Sequence, residues 1–228
     1  MGVGERFVAG YDGSGDWKLR DMRKKILCTL ICGCLLASAC SAPTEFALFR
    51  AAATGNVDQM RSLLAAGVSV DAREVEGETP LMYAAAEGQT AAVQLLVERG
   101  AALNLVSNNQ ETALSRAALN GHRAVVDLLL ERGADPNKGG ALLYAAGANR
   151  VDLMERLVAT GGDVNARSST GATALMAAAV RGRIDTVRWL LQHGADVTVR
   201  DAGGRTALQA ARENGREDVA QLIANAAR

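Results

Sequence analysis

Along this chain a leucine recurs at a nearly fixed interval, each time with alanine three residues on and glycine seven residues on. Leu48 is followed by Ala51 and Gly55, Leu81 by Ala84 and Gly88, Leu114 by Ala117 and Gly121, Leu175 by Ala178 and Gly182, and Leu208 by Ala211 and Gly215. Leu142 keeps Ala145 but has Asn149 in the glycine slot. The intervals between these leucines are 33, 33, 28, 33 and 33 residues. A unit this short cannot bury an apolar face alone, so the period demands stacked neighbours rather than one central core.

The stretch Gly77–Ala101 shows what each unit is. Thr79 can N-cap a helix, with Pro80 in the first turn where its missing N–H costs nothing. Leu81, Ala84 and Ala85 share one helical face, and Gly88 can take the left-handed conformation that ends the helix. Val93, Leu95, Leu96 and Val97 form the apolar side of a second helix, stopped by Gly100. Each unit thus reads as two short antiparallel helices.

The helix start recurs as Thr79-Pro80-Leu81, Thr112-Ala113-Leu114, Thr173-Ala174-Leu175 and Thr206-Ala207-Leu208. Second-helix apolar runs recur as Leu63-Leu64, Leu95-Leu96-Val97, Leu128-Leu129-Leu130, Leu157-Val158 and Leu190-Leu191. A turn signature appears as Gly133-Ala134-Asp135-Pro136-Asn137, with Gly162-Asp163-Val164-Asn165 and Gly194-Ala195-Asp196-Val197 close to it. With these motifs and this period, residues 44–228 resemble the ankyrin-repeat family. The resemblance implies an all-α solenoid of about six helix-turn-helix repeats, with hairpin-like fingers between them. Approximate repeat boundaries are 44–76, 77–109, 110–137, 138–170, 171–203 and 204–228. Small alanines in the first helices let neighbours approach closely, and second-helix leucines fill the space between layers.

The terminal copies carry cap features. The first lacks the Thr-Pro-Leu start and offers Phe46 and Phe49 to cover the first layer. The last carries Arg212, Glu213, Glu217 and Asp218, suited to face water. The fourth repeat departs from the others: four residues separate Asn137 from Leu142, where nine separate Asn165 from Leu175. Its finger is cut down to Lys138-Gly139-Gly140-Ala141. That shortening is open to three readings: drift in loop length, a notch in the solenoid, or a seat for a partner's protruding segment.

The N-terminal segment reads as an address. Met22 is followed by Arg23, Lys24 and Lys25, then by the uncharged run Ile26–Leu36 and by Ala37-Ser38-Ala39-Cys40. That order is n-region, h-region and cleavage site of a secretory signal over residues 22–39. It resembles a bacterial lipoprotein signal, in which Cys40 would be acylated; Ala37 replaces the usual leucine there, and Ala37-Ser38-Ala39 also fits ordinary cleavage. Ser41 resembles lipoproteins sent to the outer membrane. Even extended to Ala39 the run is 14 residues, short of the ~20 that span a bilayer as a helix. Residues 1–21, hydrophilic and ahead of the basic n-region, are expected to be an upstream extension from a mis-assigned start, with Met22 the true one.

Chemistry is sparse. All four cysteines precede residue 41, so the repeats carry no thiolate site, and aromatics make up only 4% of the chain, too few for a large aromatic-lined pocket. The resemblance gives His122 a hydrogen bond between loops, and His193 sits at a helix end, where a cation is favoured. No glycine cluster has the strand-then-helix context of a phosphate loop. No enzyme, cofactor or metal is expected. From Cys40 onward 19 cations meet 21 anions, which argues against a nucleic-acid partner.

The resemblance places recognition on the finger tips, the residues before the first-helix glycine, and the concave face. Candidate partner-binding residues are Arg73, Glu74, Glu76, Glu78 and Glu87 early, Asn108, Asn109 and Asn120 in the middle, and Arg167, Arg181, Arg200 and Arg205 late. The early fingers lean acidic and the late ones basic, which would orient a partner of opposite polarity. Tyr83 and Tyr144 are read as packing residues between first helices, with aromatic anchoring as the alternative. The expected function is non-catalytic binding of another protein in the bacterial periplasm, with a membrane link only through a lipid at Cys40. The alternative is an immunity-type inhibitor of a toxin or enzyme.

Overall fold

Threonine caps decide where most first helices begin. In the computed structural model, which describes residues 42–227, the Thr79 side chain accepts a hydrogen bond from the Met82 N–H, and Pro80 opens the helix Pro80–Ala86. Thr112, Thr173 and Thr206 cap Ala113–Asn120, Ala174–Val180 and Ala207–Glu213 in the same way, Thr112 and Thr206 in reciprocal boxes with Ser115 and Gln209. The described residues hold twelve helices and no strand: α1 Ala42–Thr54, α2 Val57–Ala65, α3 Pro80–Ala86, α4 Thr90–Glu98, α5 Ala113–Asn120, α6 Arg123–Glu131, α7 Ala141–Gly147, α8 Val151–Ala159, α9 Ala174–Val180, α10 Ile184–Gln192, α11 Ala207–Glu213 and α12 Glu217–Ala226. The expected extension, the signal segment and Cys40 lie outside the described residues.

Each odd-numbered helix packs on the odd-numbered helices of adjacent repeats and on its own even-numbered partner. The alanines of the repeat pattern make this possible: Ala51, Ala84, Ala117, Ala145, Ala178 and Ala211 are all 0% exposed. A larger side chain at any of them would hold two helices apart. Between the layers lie Leu96, Leu129, Leu157 and Leu190, each also fully buried. The all-α ankyrin-type solenoid expected from the repeats is the fold observed.

Two sets of polar bonds tie repeat to repeat. At one side an Asx side chain reaches the next repeat's backbone: Asp71 Oδ1 accepts from Ala102 N at 3.0 Å, Asn104 from Asp135 at 2.9 Å, Asn137 from Asp163 at 2.7 Å and Asn165 from Asp196 at 2.8 Å. At the other, side chains reach back to the end of the preceding first helix. Gln89 Nε2 donates to Ala53 O, His122 Nε2 lies 3.0 Å from Ala86 O, and Arg183 Nε donates to Gly147 O. The His122 ring crosses directly over Gly88, whose φ is +70° and where a Cβ would lie 2.5 Å from Nδ1.

The ends differ in part from expectation. Phe49 is buried and meets Tyr83 edge-on at 5.5 Å, but Phe46 is 45% exposed. One phenylalanine, not two, is buried against the stack: Phe46 lies a turn before Phe49, nearer the start of α1. At the other end Arg212, Glu213, Glu217 and Asp218 are exposed.

The fourth repeat keeps its place in the stack while losing its finger. Helix α7 packs between α5 and α9 as its counterparts do, and the Asx bonds run through it unbroken. In place of a threonine cap, Gly139 and Gly140 turn the chain with φ of +72° and +69°. Gly139 passes so close to Thr112 that a Cβ there would lie 2.8 Å from the Thr112 backbone nitrogen. No L-residue with a side chain fits that conformation and that gap.

Gly88 and Gly100 separate the two demands on glycine. Gly100 has φ +82° and open space around it, so Gly100→Ala costs only the left-handed backbone, about 1 kcal/mol. Gly88→Ala adds the collision with His122, for a total of about 2–4 kcal/mol. Urea unfolding of both variants should rank them in that order.

Candidate functional site

The fingers are closed turns built to one pattern. Glu74 N donates to Glu78 O and Gly77 N to Glu74 O; Ser107, Gln110 and Glu111 repeat this, as do Ser168, Gly171 and Ala172, and Asp201, Gly204 and Arg205. The fourth turn residue has positive φ every time, including Gln110 at +61°, as in a type I turn closed by a left-handed residue. A side chain at the first position braces three of them: Ser107 Oγ accepts from Glu111 N, Ser168 Oγ from Ala172 N, and Asp201 Oδ1 from both Gly203 N and Arg205 N. Burial alone would raise the Asp201 carboxyl; the Arg205 backbone N–H and guanidinium, with the Gly203 N–H, outweigh it and hold it below the usual aspartate value.

Adjacent fingers pair through their backbones. Asn108 N donates to Glu76 O at 2.9 Å, and its side chain to Val75 O at 3.2 Å. Ala202 N donates to Thr170 O at 2.9 Å, and Arg167 Nη2 to Arg200 O at 2.7 Å. Arg73 makes the same kind of bond to Val106 O at 3.2 Å.

The expected recognition residues therefore fall into two groups. Arg73, Glu76, Glu87, Asn108, Asn109, Arg167 and Arg200 are exposed; Arg73, Asn108 and Arg167 also staple one finger to the next, and Arg200 Nη1 closes its own finger on Gly204 O. Asn120 and Arg181 are half-buried at first-helix ends, with Asn120 Nδ2 donating to Ala86 O. Arg205 is half-buried, holding Asp201 at 3.0 Å and Glu213 at 3.5 Å. Among the exposed large hydrophobic side chains Val75 stands out, 96% exposed at the tip of the second finger.

Glu78 requires a correction. Expected as a free carboxylate, it is 8% exposed and ion-paired with Arg116 Nη2. Arg116 Nε lies 2.6 Å from Glu111 Oε2, and the Tyr144 hydroxyl donates to Glu111. Burial draws Arg116 below the usual arginine value, against the opposing pull of Tyr144, Glu74 and Glu76. Burial, with the Glu111 charge and hydrogen bond, pushes the Tyr144 phenol well above its ordinary value. Glu74 Oε1 is buried nearby without a hydrogen-bond partner. The network joins three repeats under the second and third fingers. Its one sequence signal is that Glu78 and Glu111 occupy the same register, just before the capping threonine.

Tyr83 packs against Phe49, whereas Tyr144 has this polar role. His193 stacks on Trp189 at 3.8 Å, with Nδ1 2.7 Å from the Trp189 carbonyl. Among the described residues no group of three or more His, Cys, Asp or Glu could hold a metal, and no helix is long and apolar enough to cross a membrane.

A family model described as "Ankyrin repeats (3 copies)" matches residues 46–139 and 141–228. Two solved structures illustrate the likeness. The human ASB11 ankyrin repeat domain is 29% identical with a TM-score of 0.67, over 79% of this chain and 83% of that one. A chain in the structure titled "Bd0816 Predatory Endopeptidase from Bdellovibrio bacteriovorus in complex with immunity protein Bd3460" is 30% identical with a TM-score of 0.67, over 78% of this chain and 97% of that one. No curated protein matches the sequence.

Removing Arg116 leaves Glu78 buried without its counter-charge, so Arg116→Leu should destabilise by about 3–5 kcal/mol. Arg188→Leu, which breaks only an exposed pair with Asp185, should cost less than about 1 kcal/mol; chemical denaturation reads both. Asp201→Asn should cost about 1–2 kcal/mol near neutral pH. Because the folded carboxyl is depressed, its contribution is full above the unfolded aspartate value of about 3.9 and disappears as pH falls through the folded value. Thermal unfolding of wild type and variant should therefore begin to converge as pH falls below about 3.9 and meet only below the folded value.

Proposed function

Because the chain belongs to the ankyrin-repeat family, we propose that it is a non-catalytic module that binds another protein in the bacterial cell envelope through its fingers and first helices. The observation that carries this reading is the row of finger turns. Their backbones are closed internally and on each other, while their tips stay open, Val75 above all. Rigid turns lose little conformational entropy on binding, and an exposed apolar tip ringed by charge is what an interface core and rim require.

The envelope setting rests on the order Met22-Arg23-Lys24-Lys25, Ile26–Leu36 and Ala37-Ser38-Ala39-Cys40. In this reading Cys40 carries the lipid that holds the protein on the periplasmic side of the outer membrane. One chain with two tethers, lipid and partner, keeps the partner at the membrane surface. No cofactor, metal or nucleic acid takes part.

An immunity-type role is the second reading. What favours it is the 30% identity to a chain of a complex whose title names an endopeptidase and an immunity protein. A scaffold would leave its partner active, whereas an immunity protein would silence it.

Affinity purification of the protein from its own envelope fraction, with mass spectrometry of partners and of the bait's N-terminus, tests both readings. A stoichiometric partner protein and an acylated Cys40 are expected, with Cys40→Ser moving the protein to the soluble fraction. Retained partner activity supports a scaffold, and lost activity supports immunity. Absence of any stoichiometric partner would sink the binding reading, and an unmodified N-terminal Cys40 the anchor.

A further inference from the structure

The missing fourth finger leaves two specific vacancies. By register, the Asn109 carbonyl stands where the Glu76 and Thr170 carbonyls stand, each of which accepts from the next finger. The Ser169 N–H stands where those of Asn108 and Ala202 stand, each of which donates to the preceding finger. Asn109 and Ser169 face the absent finger from its two sides, and neither of these groups makes a hydrogen bond among the described residues. A third vacancy lies below. In the repeats with a neighbour on both sides, the residue after the repeat leucine is buried at Met82, Ser115 and Met176, at 1%, 1% and 3% exposed, but Leu143 is half-buried; in the last repeat Gln209 is exposed. Repeat four, which lacks its finger, leaves Leu143 partly exposed, beside a recess that Pro136 and Ser168 also line.

We infer that this gap is a docking slot in which a tight turn from the partner protein takes the place of the absent finger. The inference rests on the protein-binding reading above and names the part of the surface that reads the partner. The chain's own fingers define the occupant: a turn closed by a glycine-type left-handed residue, donating one backbone N–H to Asn109 O and accepting at one carbonyl from Ser169 N. A small apolar side chain covers Leu143. An Asp-Gly turn supplies the left-handed residue. Recognition is then a form of strand addition, in which backbone bonds give affinity and the floor gives specificity.

The probe is a disulfide-closed octapeptide with Asp-Gly at its turn, titrated into the 15N-labelled protein. Saturable shifts of the Ser169 and Gln110 amides, and slowed hydrogen exchange at Ser169, are expected. Two variants provide the contrast. In the first, Lys138–Ala141 is replaced by the nine-residue connection 166–174, which fills the slot in cis; in the second, Leu143→Lys alters the floor and leaves the turn intact. Both should lose the shifts, and Leu143→Lys decides the matter if the filled protein does not fold. Shifts that are absent in the wild type, or that persist in both folded variants, overturn the inference.

The captured partner provides the separate arm. A partner held by the wild type and at least about tenfold more weakly by either folded variant supports the slot. Equal capture by wild type and variants overturns the slot while the binding reading stands. Failure of the wild type to capture any partner overturns that reading, and the peptide titration still decides the slot.

Discussion

Everything in this protein depends on how closely one repeat can approach the next. A pair of helices seven to thirteen residues long has no interior of its own, and short isolated helices are marginal in water. The six repeat alanines are fully buried because each lies where two first helices meet. At the far end of those helices the same closeness lets a side chain from the next repeat cap an orphan carbonyl, as His122 does for Ala86. Glycine is required there for two reasons at once, a left-handed turn and the absence of a Cβ in the path of the neighbour. The period is thus the imprint of an interface repeated five times.

That interface is divided among sets of bonds that can fail independently. The Asx bonds and the helix packing pass through the fourth repeat without a break, although it is five residues shorter than its neighbours. The finger pairing is interrupted, and among the described residues no reach-back bond joins the fourth repeat to the end of α5. The stack needs α7 in register and does not need the finger above it, so deletion costs little cohesion and changes the surface a great deal. Loop length tolerates such change because loops carry little of the buried area. Of the readings open for this shortened connection, the notch is present in the finger row and not in the helical stack.

Much of this was legible in the residues, for a physical reason. Thr79, Ala84, Gly88 and Leu96 act locally or against an identical neighbour, so their roles repeat with the period and can be read from it. What the period hid are the contacts that differ from repeat to repeat. Glu78 sits among exposed finger residues in sequence, yet it is buried because Arg116, 38 positions on, reaches it. Phe46 and Phe49 look equivalent as end caps, but only Phe49 is buried, against Tyr83, while Phe46, a turn earlier in α1, is exposed. Leu143 reads as an ordinary apolar helix residue, and its exposure follows from residues that are missing, not from any that are present.

The buried charge network and the gap in the finger row are one arrangement. Each finger has one finger neighbour, and the third is paired only with the second, at Glu76. Its other flank is held from below: Glu111, at the end of the turn, is bound by Arg116 of its own repeat and by Tyr144 of the repeat that lacks a finger. A buried ion pair contributes little net stability, since desolvation offsets most of its Coulombic attraction. What it does provide is position, because either charge left buried without the other is strongly destabilising. Tyr144 is thereby drawn away from an apolar packing role and fixed as a strut, so that the wall of the gap keeps its shape with nothing beside it. A slot preorganised in this way presents Asn109 without first having to order a loop, which is the condition under which a few backbone bonds can discriminate one partner turn from another.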